Sequence, residues 1–149
     1  MSTTEQLARL IRGKLEIVEQ IHRLTRRQRE LVDDGEITDL LALLSGKQAL
    51  IAQMQKNEKA LDPFREEDPQ SRHWTDPQER RECAAQAKRC ESLLAEILQL
   101  ERESEQIMTK RRDKVASQLA DSHSAEEASH AYGTPLTRAG RGIDLVSDH

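Results

Sequence analysis

Aromatic side chains are almost missing from this chain: Phe64, Trp74 and Tyr132 are the only three in 149 residues. An enzyme pocket is normally walled by aromatic and aliphatic groups around a few converging polar atoms, so the scarcity argues against a built ligand cavity. Long apolar runs are missing too. None approaches the roughly 20 residues that cross a bilayer, and Met1–Glu5 lacks the charged start and apolar core of a secretory signal. The expected location is the cytoplasm, without stable membrane insertion. Cysteine is limited to Cys83 and Cys90. Seven residues apart in one predicted helix, they sit about 10 Å apart along its axis, beyond the roughly 7 Å between Cα atoms that a disulfide tolerates. Both are read as small buried residues.

Motifs for chemistry are equally sparse. His22, His73, His123, His130 and His149 are scattered, and neither Cys-x-x-Cys nor His-Glu-x-x-His spacing occurs, so no metal site is expected. Gly133, Gly140 and Gly142 follow neither the dinucleotide nor the Walker spacing, and no serine lies in a nucleophile elbow. The carboxylate pairs Asp33/Asp34 and Glu66/Glu67 read as a turn and a solvated linker, because nothing beside them would raise a pKa. No catalytic residue and no cofactor is expected.

What the chain has is Leu, Ile, Val, Met and Ala at helical spacing, in a sequence that is 34% charged with a net charge of −4. Stripes of that kind pack against other helices. The first helix is predicted over about 4–33, with Leu10, Ile17, Leu24 and Leu31 in one heptad position and Ile11, Val18 and Val32 beside it. Asp33-Asp34-Gly35 reads as a stop. A second helix over about 36–61 follows at once, and so short a connection makes the two antiparallel neighbours. Asp62-Pro63 ends it, and 62–76 reads as a linker. Asp76-Pro77-Gln78-Glu79 is a start signal for a third helix over about 77–121. The fold class is all-α: an antiparallel hairpin plus a long third helix, an elongated coiled-coil-like bundle over 1–121, with 122–149 as a flexible tail.

Charge and length add two expectations. Residues 1–32 carry +3 and residues 33–68 carry −5, which suits adjacent helices with complementary flanks. The basic run Arg23–Arg29 is therefore read as a solvated or hairpin-bridging face, and no nucleic-acid partner is expected. The two hairpin helices span about 40–45 Å and the third about 67 Å at 1.5 Å per residue, so part of the third stripe is left without hairpin to cover it. The candidate partner-binding residues are Leu94, Ile97, Ile107, Met108, Val115, Leu119 and, in the tail, Tyr132. A client helix or a second copy of the chain would meet them. The main competing class is a self-associating coiled-coil scaffold without a client.

The segment Leu31–Ile51, with its Gly35-Glu36 turn, Leu-rich helix and Lys47 followed by Leu50-Ile51, resembles the FlgN family of flagellar type III export chaperones. The long third helix and Tyr132-Gly133 at the head of the tail match that layout. The resemblance implies a helical chaperone that binds the C-terminal amphipathic helices of hook–filament junction (hook-associated) proteins, shields them, and delivers them to the export gate. Third-helix residues would carry the client and the tail near Tyr132 would contact the export machinery. Homodimerisation is the further partner expectation.

Overall fold

A computed structural model describes residues 2–132. Helix α1 runs Thr3–Asp34 and α2 Ile37–Arg65, a 3-10 turn occupies Pro69–Ser71, and α3 runs Pro77–Ala131. The described residues contain no strand, as the all-α reading requires. The expected tail from Gly133 onward lies outside the described residues.

Local chemistry sets the ends. The Ser2 hydroxyl accepts the Glu5 N–H at 3.2 Å, and the Glu5 carboxylate accepts the Ser2 N–H in return. This reciprocal box satisfies donors that a helix start leaves open. At the other end of α1, Gly35 takes φ 74°. Its N–H donates to the Val32 carbonyl and the Glu36 N–H to the Leu31 carbonyl, the double closure that only a left-handed residue permits cheaply. Asp76 accepts the Gln78 N–H at 2.9 Å at the start of α3.

Two boundaries differ from the sequence reading. Helix α2 continues through Pro63 to Arg65. Phe64 is buried in the core there, and Arg65 bonds the Glu58 carbonyl, the Glu58 carboxylate and Asp62, so packing and pairing offset the lost N–H of proline. Helix α3 continues past Asp121 to Ala131; three Ala and two Glu in that stretch favour helix, His123 and Glu127 pair at i, i+4, and no Gly or Pro intervenes before Gly133. The expected linker also does more than connect. Phe64 and Trp74 pack with Leu7, Leu61 and Cys83, Thr4 donates to the His73 carbonyl, and Arg72 donates to the Phe64 carbonyl.

The chain divides into two units, Met1–Ile107 and Met108–His149. In the first, three hydrophobic clusters stack along an up-down-up packing. Leu7, Leu61, Phe64 and Cys83 form one end. Val18, Ile21, Leu93 and Ile97 form the middle, edged by Leu50, Ile51, Met54 and Leu94. Leu31, Val32 and Leu40 form the hairpin-turn end, edged by Leu43, Leu44 and Ile107. The deepest line of α1 is Thr4, Val18, Thr25 and Val32, with Ile11 half-buried on it, one residue beyond the Leu10–Ile17–Leu24 line expected to lead. Those leucines and Ile17 are half-buried at its side.

Between the middle and hairpin-turn clusters lies a polar layer built by one side chain from each helix. The Lys47 ammonium donates to the Gln28 side-chain carbonyl at 2.8 Å and to the Glu101 carboxylate, and the Gln28 amide donates to the other Glu101 oxygen at 3.2 Å. Lys47 is 7% exposed, and its burial pushes the ammonium pKa down. Leaving one member of such a group unpaired costs more than removing the charge with a long apolar side chain. We therefore expect Glu101→Ala to lower unfolding stability by about 1–3 kcal/mol and Lys47→Met to cost less, as read by chemical denaturation.

Candidate functional site

The two cysteines show what α3 does along its first half. Cys83 and Cys90 are free and buried, at 7% and 1% exposure. Burial pushes both thiols up from their ordinary pKa; nearby carboxylates add to this, and Arg72, Arg12 and Lys14 oppose it. A thiol held protonated is a poor nucleophile and a poor metal ligand. Among the described residues no group of His, Cys, Asp and Glu is arranged to hold a metal ion. Native protein should accordingly react with a thiol-specific reagent at neutral pH at least about tenfold more slowly than denatured protein, measured by absorbance on mixing; equal rates would show the thiols accessible.

The buried positions of α3 are Cys83, Cys90, Leu93, Ile97 and Ser104, and Ile107 is its last residue in a core cluster. Cys83, Cys90, Ile97 and Ser104 repeat every seven residues, and so do Leu93, Leu100 and Ile107. Extending these two lines by one heptad gives Arg111 and Lys114, so the core seam becomes charged. Every residue from Met108 to Tyr132 is exposed. Met108, Val115 and Leu119 are 51%, 53% and 66% exposed. At 100° per residue they share one face, a different face from Ile107. Arg111 and Arg112 flank that face on either side, and Lys110 and Lys114 add charge behind it.

The expected partner-binding set therefore separates into two groups. Ile97 is 7% exposed inside the middle cluster, and Leu94 packs against the same cluster. Ile97 is core rather than free surface, because the hairpin reaches it. Ile107 packs on the hairpin-turn cluster. Met108, Val115 and Leu119 remain as an exposed stripe, and Tyr132 is 84% exposed. The sequence reading did not single out three further exposed residues, Ile37, Leu41 and Leu98. Ile37 and Leu41 fall to one side of the buried line through Leu40, Lys47 and Leu61, which the apolar spacing of α2 alone does not distinguish.

Electrostatics follow the same division. Of the two readings of the basic run of α1, a solvated or a hairpin-bridging face, the structure matches the first at Arg23, Arg26 and Arg27, which are exposed; Arg27 pairs with Glu30, and Arg29 lies 3.8 Å from Asp33 and 3.7 Å from Glu103 on α3. His22 lies 2.8 Å from Glu96, also on α3. Lys14 and Glu58 join α1 to α2 at 2.7 Å. Burial raises the Glu58 pKa, but bonds from Lys14 and Arg65 outweigh it and leave the carboxyl below its ordinary range. An open groove beside Leu10, Ala60, Pro63 and Phe64 also carries Arg9 and Glu67; it presents no nucleophile with a base and no converging acid pair.

The candidate site is thus an apolar helical stripe with basic flanks, on a chain whose described residues form helices and no strand. The family model of the flagellar protein FliT matches residues 15–134. The chain belongs to the FliT family. That family consists of flagellar export chaperones, not enzymes, and its members bind flagellar proteins. The FlgN resemblance is corrected by this match: FliT is a related but different family of the same kind. The Gly-acidic turn and the Leu-rich α2 that carried the resemblance are what any short-looped helical hairpin needs, so they point to the layout without separating the two families. No curated protein and no solved structure matches the chain. Among the described residues no helix is long and apolar enough to cross a membrane.

Proposed function

We propose that this FliT-family chain is a cytoplasmic export chaperone whose Met108–Leu119 stripe receives an amphipathic helix from an exported flagellar subunit. The observation that carries this reading is the exposure of Met108, Val115 and Leu119 on one face of α3, immediately after the core seam ends at Ile107. An amphipathic helix laid on such a stripe buries its own apolar face. Met and aliphatic side chains accept partners of varied shape, and the absence of aromatic anchors keeps the contact releasable, as delivery to an export gate requires. The C-terminal helices of hook–filament junction proteins are the client class to test first, and the Tyr132 region is the candidate contact to the export machinery.

The test is co-purification of the full chain with those C-terminal segments, alongside a Met108→Asp, Val115→Asp variant. Wild type should form a stoichiometric complex, and the variant should lose affinity at least about tenfold with its circular dichroism unchanged. Equal binding by both proteins would move the client elsewhere. No complex with any exported flagellar segment, together with a stable homodimer, would favour the scaffold reading.

A further inference from the structure

Among the described residues of the first unit, the large apolar side chains left exposed are Ile37, Leu41 and Leu98, and they fall along one groove. On α2, Ile37, Leu41, Leu44, Gln48 and Ile51 recur at steps of four and three, which makes one helical stripe. On α3, Glu91, Leu94, Leu98, Glu101 and Glu105 do the same. Asn57 bonds the Leu10 carbonyl, and Glu96 and Glu103 reach His22 and Arg29, so those residues mark the sides of α2 and α3 that face α1. At about 100° per residue, the two stripes lie on the opposite sides. Ile51 and Leu94 pack on the same middle cluster, and Lys47 bonds Glu101. The stripes therefore border one groove between α2 and α3.

The α2 wall of this groove lacks the charge that covers most of the chain. From Leu40 to Gln55 the one charged residue is Lys47, which is buried. The α3 wall is acidic. From Glu91 to Glu105 it holds five acids and one base, Arg102. Glu96, Glu101 and Glu103 are engaged by His22, Lys47 and Arg29. Glu91 and Glu105, and Glu36 beside Ile37, are exposed and, among the described residues, have no ion-pair partner. Carboxylates around an apolar centre select an apolar helix face edged with Lys or Arg. We propose that the α2/α3 groove is the docking site of a second protein, which enters it through an amphipathic helix whose apolar face is edged with basic residues. A helix edged with acids sets like charges against Glu36, Glu91 and Glu105, and that repulsion rejects it. The Met108–Leu119 stripe has the opposite flanks, four basic residues against the single acid Asp113. These two surfaces thus sort their partners by charge, base-edged helices to the groove and acid-edged helices to the stripe.

The test uses two synthetic helical peptides of about 18 residues, each with a leucine face, one edged with lysine and the other with glutamate. Each is titrated into the full chain by fluorescence anisotropy with no client present, so failure here is read apart from failure of client binding. Wild type should bind the lysine-edged peptide. Leu41→Ser with Leu98→Ser, and separately Glu91→Lys with Glu105→Lys, should each weaken that binding at least about tenfold. Met108→Asp with Val115→Asp should leave it unchanged, and neither groove variant should lose affinity for the glutamate-edged peptide. Circular dichroism checks that each variant is folded, and the charge variant carries the test if the leucine variant is not. Four results would overturn the proposal: a wild type that does not bind the lysine-edged peptide, folded groove variants that bind it like wild type, its loss in the Met108 and Val115 variant, or a chain that sediments alone as a dimer dissociated by the groove substitutions, which would make the occupant a second copy.

Discussion

The packing turns on the contact of Lys47 with Gln28 and Glu101, one group from each helix. A seam of aliphatic side chains is nearly degenerate: sliding one helix by a heptad puts Leu against Leu again. A buried ammonium removes that freedom. Lys47 occupies a position of α2 where the heptad asks for an apolar residue, and it is satisfied only if α1 presents Gln28 and α3 presents Glu101 at the same level. Every slipped register leaves a charge buried without a partner, at a cost of several kcal/mol. The layer thus selects the alignment in which Leu7 meets Leu61 and Cys83 at one end, and Val32 meets Leu40 and Ile107 at the other.

Fixing the register also fixes where the seam stops. With Glu101 held against Lys47, Ser104 and Ile107 are the last α3 residues to face the hairpin. The next positions on those lines are Arg111 and Lys114, whose charges have no reason to leave water. The apolar residues that follow, Met108, Val115 and Leu119, stand on another face. A polar layer in the core therefore decides which aliphatic groups of α3 pack into the clusters and, on the proposed reading, which would meet a partner. This division suits a chaperone, which must be folded before its client arrives.

The sequence made the helices legible because their signals are local. Gly35, and Asp76 with Pro77, announce ends that the structure keeps. The heptads announced three-helix packing for the same reason. What stayed hidden depends on which neighbour a residue meets. Phe64 and Trp74 looked like linker residues because a short irregular segment has no periodicity to show that it folds back on the core. Ile97 looked like surface because a stripe does not say where its cover ends. The discriminating signal was present in the charges at Arg111 and Lys114, one heptad past Ser104 and Ile107. It becomes readable once the seam is counted in strict steps of three and four, which separates Ile107 from Met108. The FliT and FlgN families could not be told apart by the hairpin turn, since both need the same turn chemistry to make a hairpin at all.

Composition then bears on how tightly such a protein can hold a client. The tightest interfaces concentrate their energy in buried Trp, Tyr and Arg anchors. Here Phe64 is buried in the core and Trp74 packs against it, and the exposed stripe offers Met, Val and Leu. Burying three aliphatic groups of this size supplies about 1.5–3 kcal/mol each, and association itself costs at least about 4 kcal/mol in lost freedom of motion. The surplus from the stripe alone is a few kcal/mol, so on the proposed reading added contacts would come from the flanking cations Arg111 and Arg112. Those charges act at long range and are screened by salt. They speed the encounter more than they slow the release. On the proposed reading, a surface with few aromatics and basic edges would capture a client quickly and release it quickly, as handing a subunit onward demands.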